Sequence, residues 1–89
     1  MIRRELVIRN RLGLHARAAA RFVHAAGRFR SRVTAGRDGR VTDGKSILGI
    51  LLLGASPGTV IELTTDGPDE EEAMATLAAL VEGGFGEAA

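Results

Sequence analysis

Ser31-Arg32-Val33-Thr34-Ala35-Gly36-Arg37-Asp38-Gly39-Arg40-Val41-Thr42-Asp43-Gly44-Lys45-Ser46 is the stretch on which the fold turns. Its second half, Gly39 to Ser46, spells the phosphate-loop pattern G-x-x-x-x-G-K-S/T letter for letter. That pattern works as one loop between a buried parallel strand and a long helix. Backbone N–H groups there cradle nucleotide phosphates, the lysine reaches them and the serine holds magnesium. The neighbouring residues point elsewhere. Ser31–Ala35 reads as a short strand, Gly36–Gly39 as turn chemistry and Arg40–Asp43 as the return strand of a hairpin. The apolar run that follows, Ile47–Leu53, is barely two helical turns long. A parallel nucleotide-binding sheet with helices on both faces does not fit in 89 residues. The stretch is therefore read as a hairpin, with Ser46 as the N-cap of a short helix.

Upstream, Ile2–Ile8 reads as a strand, with Ile2, Leu6 and Ile8 on one face and Arg4 interrupting the pattern. Residues 16–26 read as a helix. Ala19, Phe22, Val23 and Ala26 recur there at the spacing of a buried stripe, and Gly27 is placed to end it as a C′ residue. Downstream, Gly54 and Pro57-Gly58 close the short helix, and Thr59–Thr65 alternates as a strand rich in β-branched residues. Asp69 is read as the cap of a helix running to Val81, with Glu70, Glu71 and Glu72 where the macrodipole favours them. Ala73, Leu77, Leu80 and Val81 form its apolar stripe, and residues 83–89 are expected to fray. The order β-α-β-β-α-β-α predicts an α+β two-layer sandwich, in one domain spanning residues 1–89.

The chain has no cysteine, which excludes a disulfide framework and a thiolate metal site. No apolar run follows Met1-Ile2-Arg3-Arg4-Glu5, so no secretory signal is read there. Ile47–Leu53, broken by Gly49, is too short to cross a bilayer. A soluble cytoplasmic protein without membrane insertion is expected. The net charge of +1 hides a split: residues 1–45 carry +9 and residues 46–89 carry −8. Such a split suits an acidic partner, a phosphate or nucleic acid, unless the two halves interleave in space. With three phenylalanines and no tyrosine or tryptophan, the chain offers a poor stacking platform, and nucleic acid is not expected as a partner.

Asn10-Arg11-Leu12-Gly13-Leu14-His15-Ala16-Arg17 places His15 at the start of the first helix. A helix N-terminus offers unpaired N–H groups and the positive end of the macrodipole, and it binds phosphate. The same dipole favours a neutral imidazole, which keeps a nucleophilic nitrogen. With Arg17 and the N–H groups of Ala16 and Arg17 beside it, His15 reads as a place to accept and hold a phosphoryl group. A plain capping histidine beside a solvated arginine is the other reading. His24 lies nine residues on. At about 100° per residue it points to the opposite side of the helix, so no shared metal site is expected. Ser46, with Lys45 beside it, would tolerate a phosphate at its helix start or simply cap it. Ile47, Leu48, Leu51 and Leu52 are more apolar surface than one face of so short a helix buries, which suggests a partner site.

The run Leu12-Gly13-Leu14-His15-Ala16-Arg17, followed downstream by Gly44-Lys45-Ser46-Ile47-Leu48, resembles HPr, the phosphocarrier family of the bacterial phosphoenolpyruvate-dependent phosphotransferase system. The likeness covers nearly the whole chain, to the helix ending near Gly83-Gly84-Phe85. It implies an open-faced two-layer β-sandwich, a four-stranded antiparallel sheet covered on one face by three helices. It implies that His15 takes a phosphoryl group on Nδ1 from phosphorylated Enzyme I and passes it to a histidine of an A-type acceptor domain, without cofactor or metal. Arg17 matches the arginine that balances phosphoryl charge. Ser46 matches a regulatory serine, phosphorylated in some bacteria by a dedicated HPr kinase/phosphorylase. Ala16, Ala20, Arg21, Ile47, Leu48 and Leu51 match partner-docking positions. The resemblance implies a monomer serving sugar uptake or nitrogen and carbon regulation. The alternative is a regulatory partner-binding module controlled by Ser46 phosphorylation, without obligatory phosphotransfer. Ala18 stands where the family usually has proline, which frees one more N–H in the first turn. The end of the chain, through Phe85-Gly86-Glu87, looks closer to nitrogen-regulatory HPr paralogues.

Overall fold

The computed structural model describes residues 1–87. The chain runs β1 (Ile2–Val7), α1 (Ala16–Ala26), β2 (Arg32–Arg37), β3 (Arg40–Asp43), α2 (Ile47–Leu52), β4 (Val60–Asp66) and α3 (Glu70–Glu82), and ends in a 3₁₀ turn at Gly84–Gly86. The strands form one antiparallel sheet in the order β1-β4-β2-β3. Leu6, Val33, Ala35, Ile61, Leu63 and Thr65 are buried on the face that packs on the helices. Arg3, Glu5, Val7 and Glu62 alternate with them on the open face. This is the expected open-faced sandwich.

The hairpin reading of residues 31–46 holds, with a tighter turn than expected. Asp38 and Gly39 alone make it, at φ 51° and 80°. Both are left-handed, the type I′ geometry whose twist matches that of the flanking strands. Gly36 and Arg37, read as turn residues, instead continue β2 and pair with Val41 and Arg40. The phosphate-loop letters are thus divided among a hairpin turn, a strand and a helix cap. Lys45 donates from Nζ to the Phe29 carbonyl at 2.8 Å.

Helix α1 has the bounds its periodicity predicts. Ala18, Ala19, Phe22, Ala25 and Ala26 are buried, while Val23 is only half-buried. Gly27 ends the helix at φ −65°, in the right-handed region, so it is not the left-handed C′ glycine expected. On α3, Ala73, Met74, Leu77, Ala78 and Val81 are buried and Leu80 is half-buried. Arg4 lies opposite Leu63 on the helix-facing side of the edge strand and reaches Glu82 of α3 at 3.7 Å. At the sheet edge the side chain stays exposed and leans to that acid, which explains the break in the strand pattern.

Topology interleaves the two charged halves only in part. Strand β4, from the acidic half, lies between β1 and β2. Arg3 meets Glu62 at 3.8 Å, and the amino terminus meets Glu70 at 2.8 Å. Exposed pairs of this kind contribute little stability.

Two expectations for the second half fail. Asp69 occupies the cap position of α3 but makes no cap bond. Its carboxylate accepts the N–H groups of Arg30 and Ser31, each at 2.9 Å, and the Ser31 hydroxyl at 2.5 Å. It therefore fastens the α1–β2 junction to the start of α3. The Ser31 hydroxyl first, then the two N–H groups, hold its carboxyl down at about 2. The tail does not fray through Glu87. Phe85 is 1% exposed, at φ 58°, between Gly84 at 65° and Gly86 at 72°. Left-handed backbone there turns the ring into the core, and its burial offsets the ordering of the tail. Ala88 and Ala89 lie outside the described residues. Among those residues, no helix is long and apolar enough to cross a membrane.

Candidate functional site

The segment before α1 is held rigidly. The Ile8 N–H donates to Thr59 and the Leu14 N–H to Ala55, each at 2.9 Å. Gly13 sits at φ 65°, and a Cβ there would lie 2.5 Å from the Ala55 carbonyl oxygen, so only glycine fits. Asn10, 4% exposed, spends its two amide hydrogens on the Gly13 carbonyl at 2.6 Å and on Glu87 Oε1 at 2.9 Å. Facing both acceptors leaves Asn10 Oδ1 buried without a partner among the described residues.

This frame sets His15 at the N-cap of α1, with extended backbone at φ −77° and ψ 178°. Its Nδ1 accepts the Arg17 N–H over a long 3.4 Å. Its Nε2 lies 2.5 Å from Glu87 Oε2. These contacts fit one tautomer. A nitrogen that accepts carries no proton, so the neutral ring bears its hydrogen on Nε2 and donates it to the carboxylate. The Nδ1 lone pair points at the first turn and is only weakly engaged. The Asn10 amide first, then His15, hold the Glu87 carboxyl below its ordinary value, and the charge of Arg17 adds to this. Glu87 therefore stays ionised.

Arg11, Leu12, Arg17, Arg21, Gly86 and Glu87 line an open groove of about 560 Å³ beside the histidine. Arg17 makes no ion pair among the described residues, although its charge is felt at Glu87. Arg21 is exposed, and its guanidinium donates to the Phe85 carbonyl, latching the tail to α1. Ala18, at the position where proline is usual, is fully buried. Ala16 and Ala20 are exposed on α1.

Helix α2 packs beside α1. Ser46 caps it, its hydroxyl accepting the Gly49 N–H at 3.1 Å. Ile50 is 1% exposed, whereas Ile47, Leu48 and Leu52 are 46%, 63% and 64% exposed. Leu51 is half-buried against the core. The excess of apolar surface read from the sequence is thus present. His24 faces solvent, and among the described residues no group of His, Asp or Glu is placed to hold a metal.

Sequence reasoning missed Asn10, Phe85 and Glu87. An asparagine three residues before a left-handed glycine, and a lone aromatic between two glycines, are faint signals for the first two. No local signal marks Glu87.

Fold and site together define a class: an open-faced α+β sandwich that presents a histidine with one weakly engaged ring nitrogen at a helix start. A family model described as the PTS HPr component phosphorylation site matches residues 2–83. The phosphocarrier protein HPr of Cupriavidus necator is 51% identical, with 98% of each chain covered. The crystal structure of HPr-C-His from Thermoanaerobacter tengcongensis superposes with a TM-score of 0.96 at 44% identity, covering 100% of both chains. An HPr dimer from the same organism gives 0.79 at 48% identity, covering 90% of this chain and 92% of that one. The chain belongs to the HPr family of phosphocarriers. The family exchanges phosphoryl groups within the phosphotransferase system, and membership does not favour a regulatory module without phosphotransfer.

Proposed function

We propose that His15 carries the phosphoryl group on Nδ1, taking it from phosphorylated Enzyme I and passing it to a histidine of an A-type acceptor domain. The observation that carries this reading is the pair of ring contacts: Nε2 is held by Glu87, and Nδ1 faces the first turn of α1, accepting the Arg17 N–H only over a long 3.4 Å. The Nδ1 lone pair attacks phosphorus, and the bond from phosphorus to the donor breaks with its electron pair. Onward transfer reverses these roles. Arg17 and the N–H groups of Ala16 and Arg17 stabilise the phosphoryl charge, as preorganised donors at a helix N-terminus do. Modest stabilisation suits a carrier, which must give up what it holds.

Ala16, Ala20, Arg21, Ile47, Leu48 and Leu51 form the docking surface. The exposure of Ile47 and Leu48 on a helix beside α1 supports this. Basic and apolar groups together favour fast, weak encounters with acidic partners. Ser46 is the regulatory position: a phosphate there would meet the start of α2 and add charge to the docking face. An HPr kinase/phosphorylase is the partner for that step. Residues 1–89 act as one cytoplasmic domain, without cofactor, metal or nucleic acid. The chain works as a monomer, since both sheet edges carry arginine, Arg3 and Arg4 on β1 and Arg40 on β3.

Incubation with phosphoenolpyruvate and the cognate Enzyme I should give an acid-labile, base-stable adduct on His15. His15→Ala should take up none, and equal uptake by that variant would overturn the reading.

A further inference from the structure

We propose that Glu87, delivered by the folded C-terminal segment, is a positioning residue for phosphoryl transfer, holding the proton on Nε2 of His15 while Nδ1 gains and loses the phosphoryl group. This rests on His15 being the acceptor.

The placement is built rather than incidental. Phe85 is sunk in the core, and Arg21 holds its carbonyl. Both oxygens of Glu87 are engaged, one by the buried Asn10 amide and one by Nε2, and the side chain is 10% exposed. A carboxylate fixed at both oxygens cannot swing towards Arg17 without giving up a short contact.

The chemistry needs such a group. When Nδ1 attacks phosphorus its lone pair becomes the new P–N bond, and the ring turns cationic with its proton still on Nε2. When the phosphoryl group leaves, the P–N electrons return to Nδ1 and the ring is neutral again. No proton has to leave in either direction. If Nε2 lost its proton while phosphorylated, the departing group would be an imidazolate, a far poorer leaving group, and the phosphoryl would be stranded. Arg17 and Arg21 from α1, Arg11 from the preceding segment and the α1 dipole all oppose a cationic ring. The bound phosphoryl answers them on the Nδ1 side. Glu87 answers them at Nε2, where it is the acid in contact.

Glu87→Gln keeps the shape and removes the charge. The variant should still become labelled on His15. Onward transfer should fall on the order of tenfold, as loss of one charge-assisted hydrogen bond predicts. The deficit should widen from pH 6 to pH 9, and the ¹⁵N signal of Nε2 in the phosphorylated protein should show deprotonation at lower pH than in the native chain. Transfer rates and a ¹⁵N titration indistinguishable from native would overturn the proposal while leaving His15 as acceptor. Absence of label on His15 in the native chain would instead overturn the acceptor reading itself.

Discussion

The starts of α1 and α2 share a plan. Each begins with an extended residue whose side chain accepts an N–H of the first turn: His15 from Arg17 at 3.4 Å, Ser46 from Gly49 at 3.1 Å. They differ in what else holds the cap. Ser46 is oriented by its own helix, so its oxygen is spent on a bond of ordinary length. His15 is also gripped from behind, by a carboxylate 72 residues away in sequence. An outside grip fixes the ring without consuming Nδ1. A cap secured locally stabilises its helix, whereas a cap secured from elsewhere keeps a lone pair for chemistry.

The largest way to break this contrast is to release the grip. Phe85→Ala removes the ring that anchors the tail. Loss of a buried phenylalanine costs about 3–5 kcal/mol, a large share of a small domain's stability. Urea unfolding measures that cost. Amide and imidazole NMR signals at His15 should shift strongly, while those of Gly49 at the Ser46 cap stay close to native. Equal disturbance at both helix starts would show that they are not independently secured.

A smaller effect tests the two caps directly. Ser46→Ala should cost about 1 kcal/mol, as loss of a serine cap usually does. On a Glu87→Ala background, which removes the other ring contact, His15→Ala should cost less than about 0.5 kcal/mol, because a 3.4 Å contact is a weak cap. Chemical denaturation of both variants gives the comparison. A His15→Ala cost on that background equal to that of Ser46→Ala would mean that Nδ1 is spent on the helix after all.

The same distinction separates what was legible in the sequence from what was not. The bounds of α1, the return strand Arg40–Asp43 and the Ser46 cap follow from local chemistry: periodicity, an Asp-Gly turn and a serine before an apolar run. His15 and Arg17 were legible for the same reason, being near neighbours at a helix start. The groups that complete the site were not. Asn10 and Glu87 are 77 residues apart, and Arg21 and Phe85 are 64 apart. Gly84 and Gly86 read as a loose end because glycine usually marks freedom. Here their positive φ serves to fold Phe85 inward.

Asp69 is the third helix start, and it sharpens the contrast from the other side. Its position was read correctly as the cap of α3, but its carboxylate turns away to Arg30 and Ser31. The first turn of α3 is left to the favourable charges of Glu70, Glu71 and Glu72. The carboxyl of Asp69 titrates at about 2 in the fold against an ordinary value of 3.8. Its contribution is therefore fully present above the ordinary value and is lost as pH falls through about 2. Asp69→Asn should destabilise the chain modestly at neutral pH, and the gap should close between about pH 4 and about pH 2. Urea midpoints of both proteins across that range test this, and curves that stay parallel would refute it. If the loss also appears as fraying at Ser31 rather than at Glu70, read by amide exchange, the carboxylate acts as a tie between segments and not as a cap.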